Sequence, residues 1–253
     1  LFSQDSPERM FKVPVPDFIL EEEYLKQPEV QHSINYRNPN TTTRVVQNSG
    51  QYLVIPPNIR PFPSSVTQSE VDAANMKGNG QVIYAAWNNL TPTLGIGFCY
   101  SSDGGVTWTG NSQSVVPSQG DPGPWIWPAG TPWAGRLGLS FIRGAGYSTN
   151  QGSSWLLTEG FQGSSFDKNF SAVDDIEGSP FFGRAYTVWS AFSPNAIIGS
   201  FSTDGGDDWS QPLTVSPPST TRQLGCDIEV GPGGVVYVVW AHFSGLVSST
   251  EDS

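Results

Sequence analysis

SSDGGVTW at 101–108, STNQGSSW at 148–155 and STDGGDDW at 202–209 are three writings of one octapeptide: Ser, any residue, Asp or Asn, any residue, Gly, two more residues, Trp. Their starts lie 47 and 54 residues apart. Self-similarity at a period near fifty residues means stacked copies of one supersecondary unit, and this period suits four short strands with turns better than most helical repeats. Gly105, Gly152 and Gly206 stand where a tight turn needs positive φ, a conformation in which a Cβ would clash. Asp103, Asn150 and Asp204 are suited to accept hydrogen bonds from turn amides, and Ser101, Ser148 and Ser202 to do the same more weakly. Trp108, Trp155 and Trp209 then open the returning strand, where each is expected to bury its ring between neighbouring units.

The repeat extends upstream of the turn. QVIYAAWNN at 81–89, GRLGLSFIR at 135–143, GRAYTVWSA at 183–191 and GGVVYVVWAH at 233–242 share the apolar pattern of a buried strand following a glycine-containing turn. SEVDAANM at 69–76, GDPGPWIW at 120–127, KNFSAVDD at 168–175 and CDIEVGPGG at 226–234 precede them and read as the innermost strands. A unit therefore runs inner strand, turn, strand, loop, strand, octapeptide, outer strand. Successive units span 67–117, 118–165, 166–219 and 220–253.

The octapeptides resemble Asp boxes, the bacterial neuraminidase repeat carried by β-propellers of sialidases, sortilin-type receptors and secreted glycan-active proteins. The resemblance implies an all-β fold, a sialidase-like β-propeller with four-stranded antiparallel blades and Asp-box hairpins, about 3.5 blades being visible of six or more. It also implies that the boxes are structural hairpins facing away from the active site. Thr250 and Asp252 look like the first half of a fourth box, so the chain is expected to be part of a longer protein or assembly.

Composition agrees with an extracellular all-β domain, secreted or at the cell surface. The chain of 253 residues holds 28 Gly and 21 Pro for turns, and 9 Trp, 8 Tyr and 14 Phe for strands and core. The length suits one domain with a substantial core, and an extracellular chain is expected to have lost its leader. No run of eighteen apolar residues spans a bilayer. A net charge of −11 argues against nucleic acid or an anionic membrane as partner. Cys99 and Cys226 read as two buried free thiols, and with only His32 and His242 no zinc site is expected.

Residues 1–66 do not follow the repeat and read as an extension. PDFILEEEYLKQ at 16–27 is its one helical stretch, and TTRVVQNSGQYLVIPP at 42–57 contains a hairpin signal around Asn48, Ser49 and Gly50. One of these runs is suited to be an outer strand that completes the last blade.

Function is expected on the face where loops between blades meet loops joining second and third strands. Those loops carry Asp121, Arg143, Asp167, Lys168, Arg222 and His242, with Trp125 and Trp127 close by. Arginines there suit bidentate capture of a carboxylate, and aromatics suit stacking on a sugar ring. Sialidases resemble one another in an Arg-Ile-Pro motif on the first inner strand, an acidic Asp in the next loop, two further arginines and a Tyr/Glu pair on later blades. Here SEVDAANM has no Arg, Asn88 to Thr93 carry no carboxylate, and Tyr36-Arg37-Asn38-Pro39 lacks the Ile. The expected function is accordingly a non-catalytic module binding a glycan or an extracellular protein. A sialidase-like exo-glycoside hydrolase, with its Tyr/Glu pair beyond residue 253, stands as the alternative. No cofactor is expected, although Asp204, Asp207 and Asp208 around one turn suit a Ca²⁺ ion. Asn40, Asn89 and Asn169 match the N-glycosylation sequon.

Overall fold

The structure, a computed structural model, describes residues 44–48, 51–55, 61–62, 67–90, 95–111, 120–142, 144–159 and 166–243. The helical stretch at 16–27, the Tyr36-Arg37 motif, Asn40, Arg143 and the fourth octapeptide lie outside these residues. The chain divides into two compact units, Leu1–Arg60 and Pro61–Ser253. In the first, β1 (Arg44–Asn48) and β2 (Gln51–Ile55) form the antiparallel hairpin expected around Ser49, with Asn48 facing Gln51.

The second unit is a β-propeller. Its first blade is β3 (Gln68–Asn75), β4 (Ile83–Asn89), β5 (Gly95–Ser101) and β6 (Thr109–Asn111). The second is β7 (Gly123–Ile126), β8 (Leu137–Phe141), β9 (Gly144–Ser148) and β10 (Leu156–Glu159). The third is β11 (Phe166–Val173), β12 (Ala185–Phe192), β13 (Asn195–Ser202) and β14 (Leu213–Thr214). Each is a four-stranded antiparallel meander in chain order. A fourth blade is described over β15 (Gln223–Gly231) and β16 (Val235–His242), joined by a 3₁₀ turn at Pro232–Gly234. The innermost strands β3, β7, β11 and β15 lie side by side in that order, so the blades fan around a common axis. Among the described residues no helix is long and apolar enough to cross a membrane.

The octapeptide turns are built alike. In each, the Ser hydroxyl donates to the Asx oxygen, at 2.8 Å for Ser101–Asp103, 2.9 Å for Ser148–Asn150 and 2.8 Å for Ser202–Asp204. The same hydroxyl accepts from the Gly amide at 2.8, 2.8 and 2.9 Å, and Asx accepts from the amide four residues on at 2.8, 2.9 and 3.0 Å. The serine is thus the hub of the turn and not the weaker of its two acceptors. A hydroxyl can donate and accept at once, whereas an ionised carboxylate only accepts. At Asp103 the Thr107 hydroxyl and amide, with Ser101, hold the carboxyl down at about 2.

Packing between blades depends on these turns. Trp155 packs tilted against Tyr84 and edge-on against Phe98 of the preceding blade, with ring centroids 6.2 and 5.8 Å away, and Trp209 meets Trp125 edge-on at 5.8 Å. Such contacts contribute about 0.5–1.5 kcal/mol each beyond the area they bury. One core unites Tyr84, Ile96 and Phe98 of the first blade with Ile126, Leu137 and Leu139 of the second. The next joins Trp125 and Trp127 to Ala185 and Trp189, and a third joins Val188 and Ile197 to Cys226 and Ile228. Cys99 and Cys226 are free and buried, and burial pushes both thiols up to about 12.

The turn glycines touch the neighbouring blade unequally. A Cβ at Gly152 would sit 2.2 Å from the Phe98 ring and one at Gly206 3.1 Å from Trp127, whereas at Gly105 the nearest atom, 3.4 Å away, belongs to the turn's own Trp108. All three have positive φ, at +83°, +93° and +87°. Alanine at Gly105 is therefore expected to cost about 1–2 kcal/mol from backbone strain alone. At Gly152 a further loss of about 1–3 kcal/mol from overpacking is expected, with Gly206 between the two. Chemical denaturation of the three variants checks this order.

Candidate functional site

Every described blade places a left-handed residue at or just before the start of its innermost strand. The register of β3 on β4 slips between Ser69 and Asp72, that of β11 on β12 between Asp167 and Phe170, and that of β15 on β16 between Leu224 and Asp227. Each slip is a β-bulge that starts on a left-handed residue, Glu70 at φ +50°, Lys168 at +50° and Gly225 at +64°. Asp121, at φ +56°, takes the same conformation just before β7. Glycine is the ordinary occupant of such a place, because a Cβ there costs about 1–2 kcal/mol. Only Gly225 follows that rule. Among the described residues four non-glycine positions have positive φ, and three of them, Glu70, Asp121 and Lys168, meet at this rim.

The three side chains tie the first three blades together. The Lys168 ammonium donates to Glu70 Oε1 at 2.7 Å, and the Lys168 amide donates to Asp121 Oδ2 at 2.9 Å. Asn88, at the end of β4, donates through Nδ2 to Glu70 Oε2 at 3.1 Å and accepts the Asp121 amide on Oδ1 at 2.8 Å. Gly120 permits this approach, since a Cβ there would lie 2.7 Å from Asn88 Oδ1. The Cys226 thiol donates to the Lys168 carbonyl at 3.0 Å and carries the chain of contacts to the fourth blade.

Beside this network lies an open depression lined by Glu70, Asp72, Asp121, Lys168, Asn169 and Phe170. Lys168 and Glu70 keep 36% and 40% of their side chains exposed, so a ligand can reach both, while Asp121 is 8% exposed and acts from beneath. Glu70 is shifted upward, first because its carboxyl shares a hydrogen bond with that of Asp121 and second because of burial, against the pull of Lys168. Asp72 is shifted upward by burial and, to a smaller degree, by repulsion from Asp227 and Glu229. Burial alone would lower the Lys168 ammonium, but Glu70, Asp121 and Asp167 together raise it.

Of the residues singled out from sequence, Asp121 and Lys168 come together here, and Asp167 adds its charge to Lys168. Arg222 and His242 make separate contacts. The Arg222 guanidinium lies 5.0 Å from the Phe192 ring centre, and His242 Nε2 is 2.5 Å from the Thr221 hydroxyl. Trp125 and Trp127 correct the expectation of sugar stacking: they are 2% and 0% exposed, consumed by the core between the second and third blades. The sequon residues Asn89 and Asn169 are likewise buried, at 3% and 4% exposure, which puts their amides out of reach of a transferase. Around the third turn, Asp204 takes the Ser202 hydroxyl and the Asp208 amide, and Asp207 takes the Tyr147 hydroxyl and lies 3.7 Å from Arg136. Among the described residues no three His, Cys, Asp or Glu side chains are grouped to hold a metal.

Glu70, Asp72, Asn88 and Asn169 escape a loop-by-loop reading because they sit on strands. The signal for Glu70 and Lys168 is alignment of the inner strands with Gly225 of the fourth, where glycine marks a left-handed position.

The chain matches no family model and no curated protein. Among solved structures it is similar to a protein of unknown function from Dyadobacter fermentans DSM 18053, with a TM-score of 0.49 and 14% identity over 81% of this chain and 66% of that one. It is also similar to an alpha-L-arabinanase from Penicillium chrysogenum complexed with arabinobiose, with a TM-score of 0.46 and 16% identity over 71% of this chain and 60% of that one. The matched region spans less than two thirds of either of those chains.

The shift at Asp72 has a measurable sign. Its carboxyl holds a proton more tightly folded than unfolded, so its contribution to stability is full below the unfolded value and is lost as pH rises through the raised one. Asp72→Asn keeps the oxygen that accepts the Ala73 amide at 2.7 Å and removes the charge. It is expected to raise Tm at pH 7 and to leave it unchanged near pH ~3, where both states are protonated. A lower Tm at pH 7 would mean that the ionised form is the stabilising one.

Proposed function

We propose that this chain is a secreted or cell-surface β-propeller of Asp-box type that binds a carbohydrate, without catalysis, at the rim where β3, β7 and β11 begin. The observation that carries the reading is the placement of Glu70, Asp121 and Lys168 at left-handed positions that the fourth blade gives to glycine. Conformational cost accepted three times, in residues whose polar groups converge, is the mark of a site kept for binding. A charged pair open to solvent, buried amides behind it and the apolar edge of Phe170 beside it suit a sugar, which presents hydroxyls on its rim and C–H bonds on its face. The acidity of the chain disfavours nucleic acid and anionic membranes as competing partners.

The raised carboxyl of Glu70 beside Asp121 is the one feature that favours glycoside hydrolysis, since it would supply a proton donor. Asp121 is 8% exposed and already takes the Lys168 amide, so it is not open to a substrate as the second carboxyl that either hydrolytic geometry needs. Binding is therefore the better reading. Steady release of the fluorophore from a sialoside by this chain, lost in Glu70→Gln, would replace it with hydrolysis.

Glycine substitution separates site from scaffold. Glu70→Gly, Asp121→Gly and Lys168→Gly each relieve about 1–2 kcal/mol of backbone strain while deleting a polar contact. Each variant is expected to melt within a few degrees of the parent, and each to lose about tenfold or more in affinity for an oligosaccharide selected from an array and titrated calorimetrically. Large losses of stability with unchanged affinity would show that the three residues serve the scaffold only.

A further inference from the structure

The geometry points to a protonated amino sugar as the ligand of the rim depression, with its ammonium held by Asp72 and Glu70 and a hydroxyl donated to Asn169 Oδ1. This rests on the reading of the rim as a carbohydrate site and gives it a substrate class. Asn169 is 4% exposed, lines the depression and donates through Nδ2 to the Ser140 hydroxyl at 2.8 Å, yet among the described residues its Oδ1 has no hydrogen-bond partner. A buried amide oxygen left unpaired carries a desolvation cost that an arriving donor removes. The ligand must therefore bring a donor to that point.

The charges agree with that demand. Among the described residues lining the depression, three are acids, Glu70, Asp72 and Asp121, and one is a cation, Lys168, whose ammonium is engaged by Glu70 at 2.7 Å. The acids of the inner strands extend the excess, Asp167 acting on Lys168 and Asp227 with Glu229 repelling Asp72. Asp121 is already served by the Lys168 amide and Asn88, at 2.9 and 3.5 Å. Among the described residues Asp72 accepts one hydrogen bond, from the Ala73 amide at 2.7 Å, and pairs with no cation. An ammonium placed between Asp72 and Glu70 would offset the burial that raises Asp72 and, to a smaller degree, the repulsion from Asp227 and Glu229, with charge-assisted bonds of the stronger kind. The remaining Lys168 N–H groups can donate to a ring or hydroxyl oxygen, and Phe170 offers a surface for the C–H face. An anionic sugar fits poorly, because it would meet three carboxylates for one lysine.

The test titrates the 253-residue chain calorimetrically with three probes: the fully deacetylated β-1,4-glucosamine tetramer, its N-acetylated counterpart, and spermidine. The deacetylated tetramer is expected to bind about tenfold or more tighter than the acetylated one, the scale of one charge-assisted hydrogen bond. In Asp72→Asn this preference is expected to collapse towards unity. In Asn169→Leu both tetramers are expected to weaken while spermidine is unaffected. Equal or tighter binding of the acetylated tetramer would overturn the amine assignment and leave the carbohydrate reading standing. Spermidine matching the deacetylated tetramer would show a site for bare polycations and overturn both, as would binding of neither tetramer.

Discussion

The propeller depends on the docking of each octapeptide turn onto the blade before it. Trp155 reaches back to Tyr84 and Phe98, Trp209 reaches back to Trp125, and the turn glycines Gly152 and Gly206 let the backbone close on Phe98 and Trp127. A blade buries its apolar faces against its neighbours, as the shared cores between successive blades show. The turn converts a local hydrogen-bonded structure, organised by one serine hydroxyl, into a long-range contact across the blade boundary. Because the turn and its Trp are covalently next to each other, the entropy lost in ordering the hairpin also orders the ring, and the inter-blade contact follows at little added cost.

At the inner ends of the blades the backbone is arranged for another purpose. Bulges near the start of β3 and β11 hold Glu70 and Lys168 in the left-handed conformation that Asp121 shares just before β7, and all three are polar where glycine would be easier. Glu70, Asp121 and Lys168 come from three blades, so the rim exists only once the blades are docked. Octapeptide packing and the rim are therefore coupled: a shift of one blade against the next would part the 2.7 Å ion pair between Lys168 and Glu70.

Much of the architecture was legible in the chain. The period placed all four inner strands and their partners within a few residues of β3, β7, β11, β15 and β4, β8, β12, β16, because a strand-length run after a glycine-containing turn recurs in each unit. The hairpin of β1 and β2 was legible from Asn48-Ser49-Gly50. The site was legible only in part. Asp121 stands in a blade-connecting segment and was found; Lys168 was found from the loop leading into β11 although it lies on that strand, whereas Glu70 and Asp72 lie inside β3, whose bulge has no glycine to announce it. Trp125 and Trp127 misled for a physical reason: a Trp near a loop suits a sugar platform or an inter-blade core equally well in sequence, and only burial separates the two.

A crystal structure of the chain with a bound oligosaccharide tests the central claim, that the left-handed rim is the ligand site, most directly. The account predicts a sugar ring in the depression beside Phe170, within hydrogen-bonding distance of Glu70, Lys168 and Asn169. A sugar found instead against Arg222, Phe192 and His242, with the rim untouched, would contradict it.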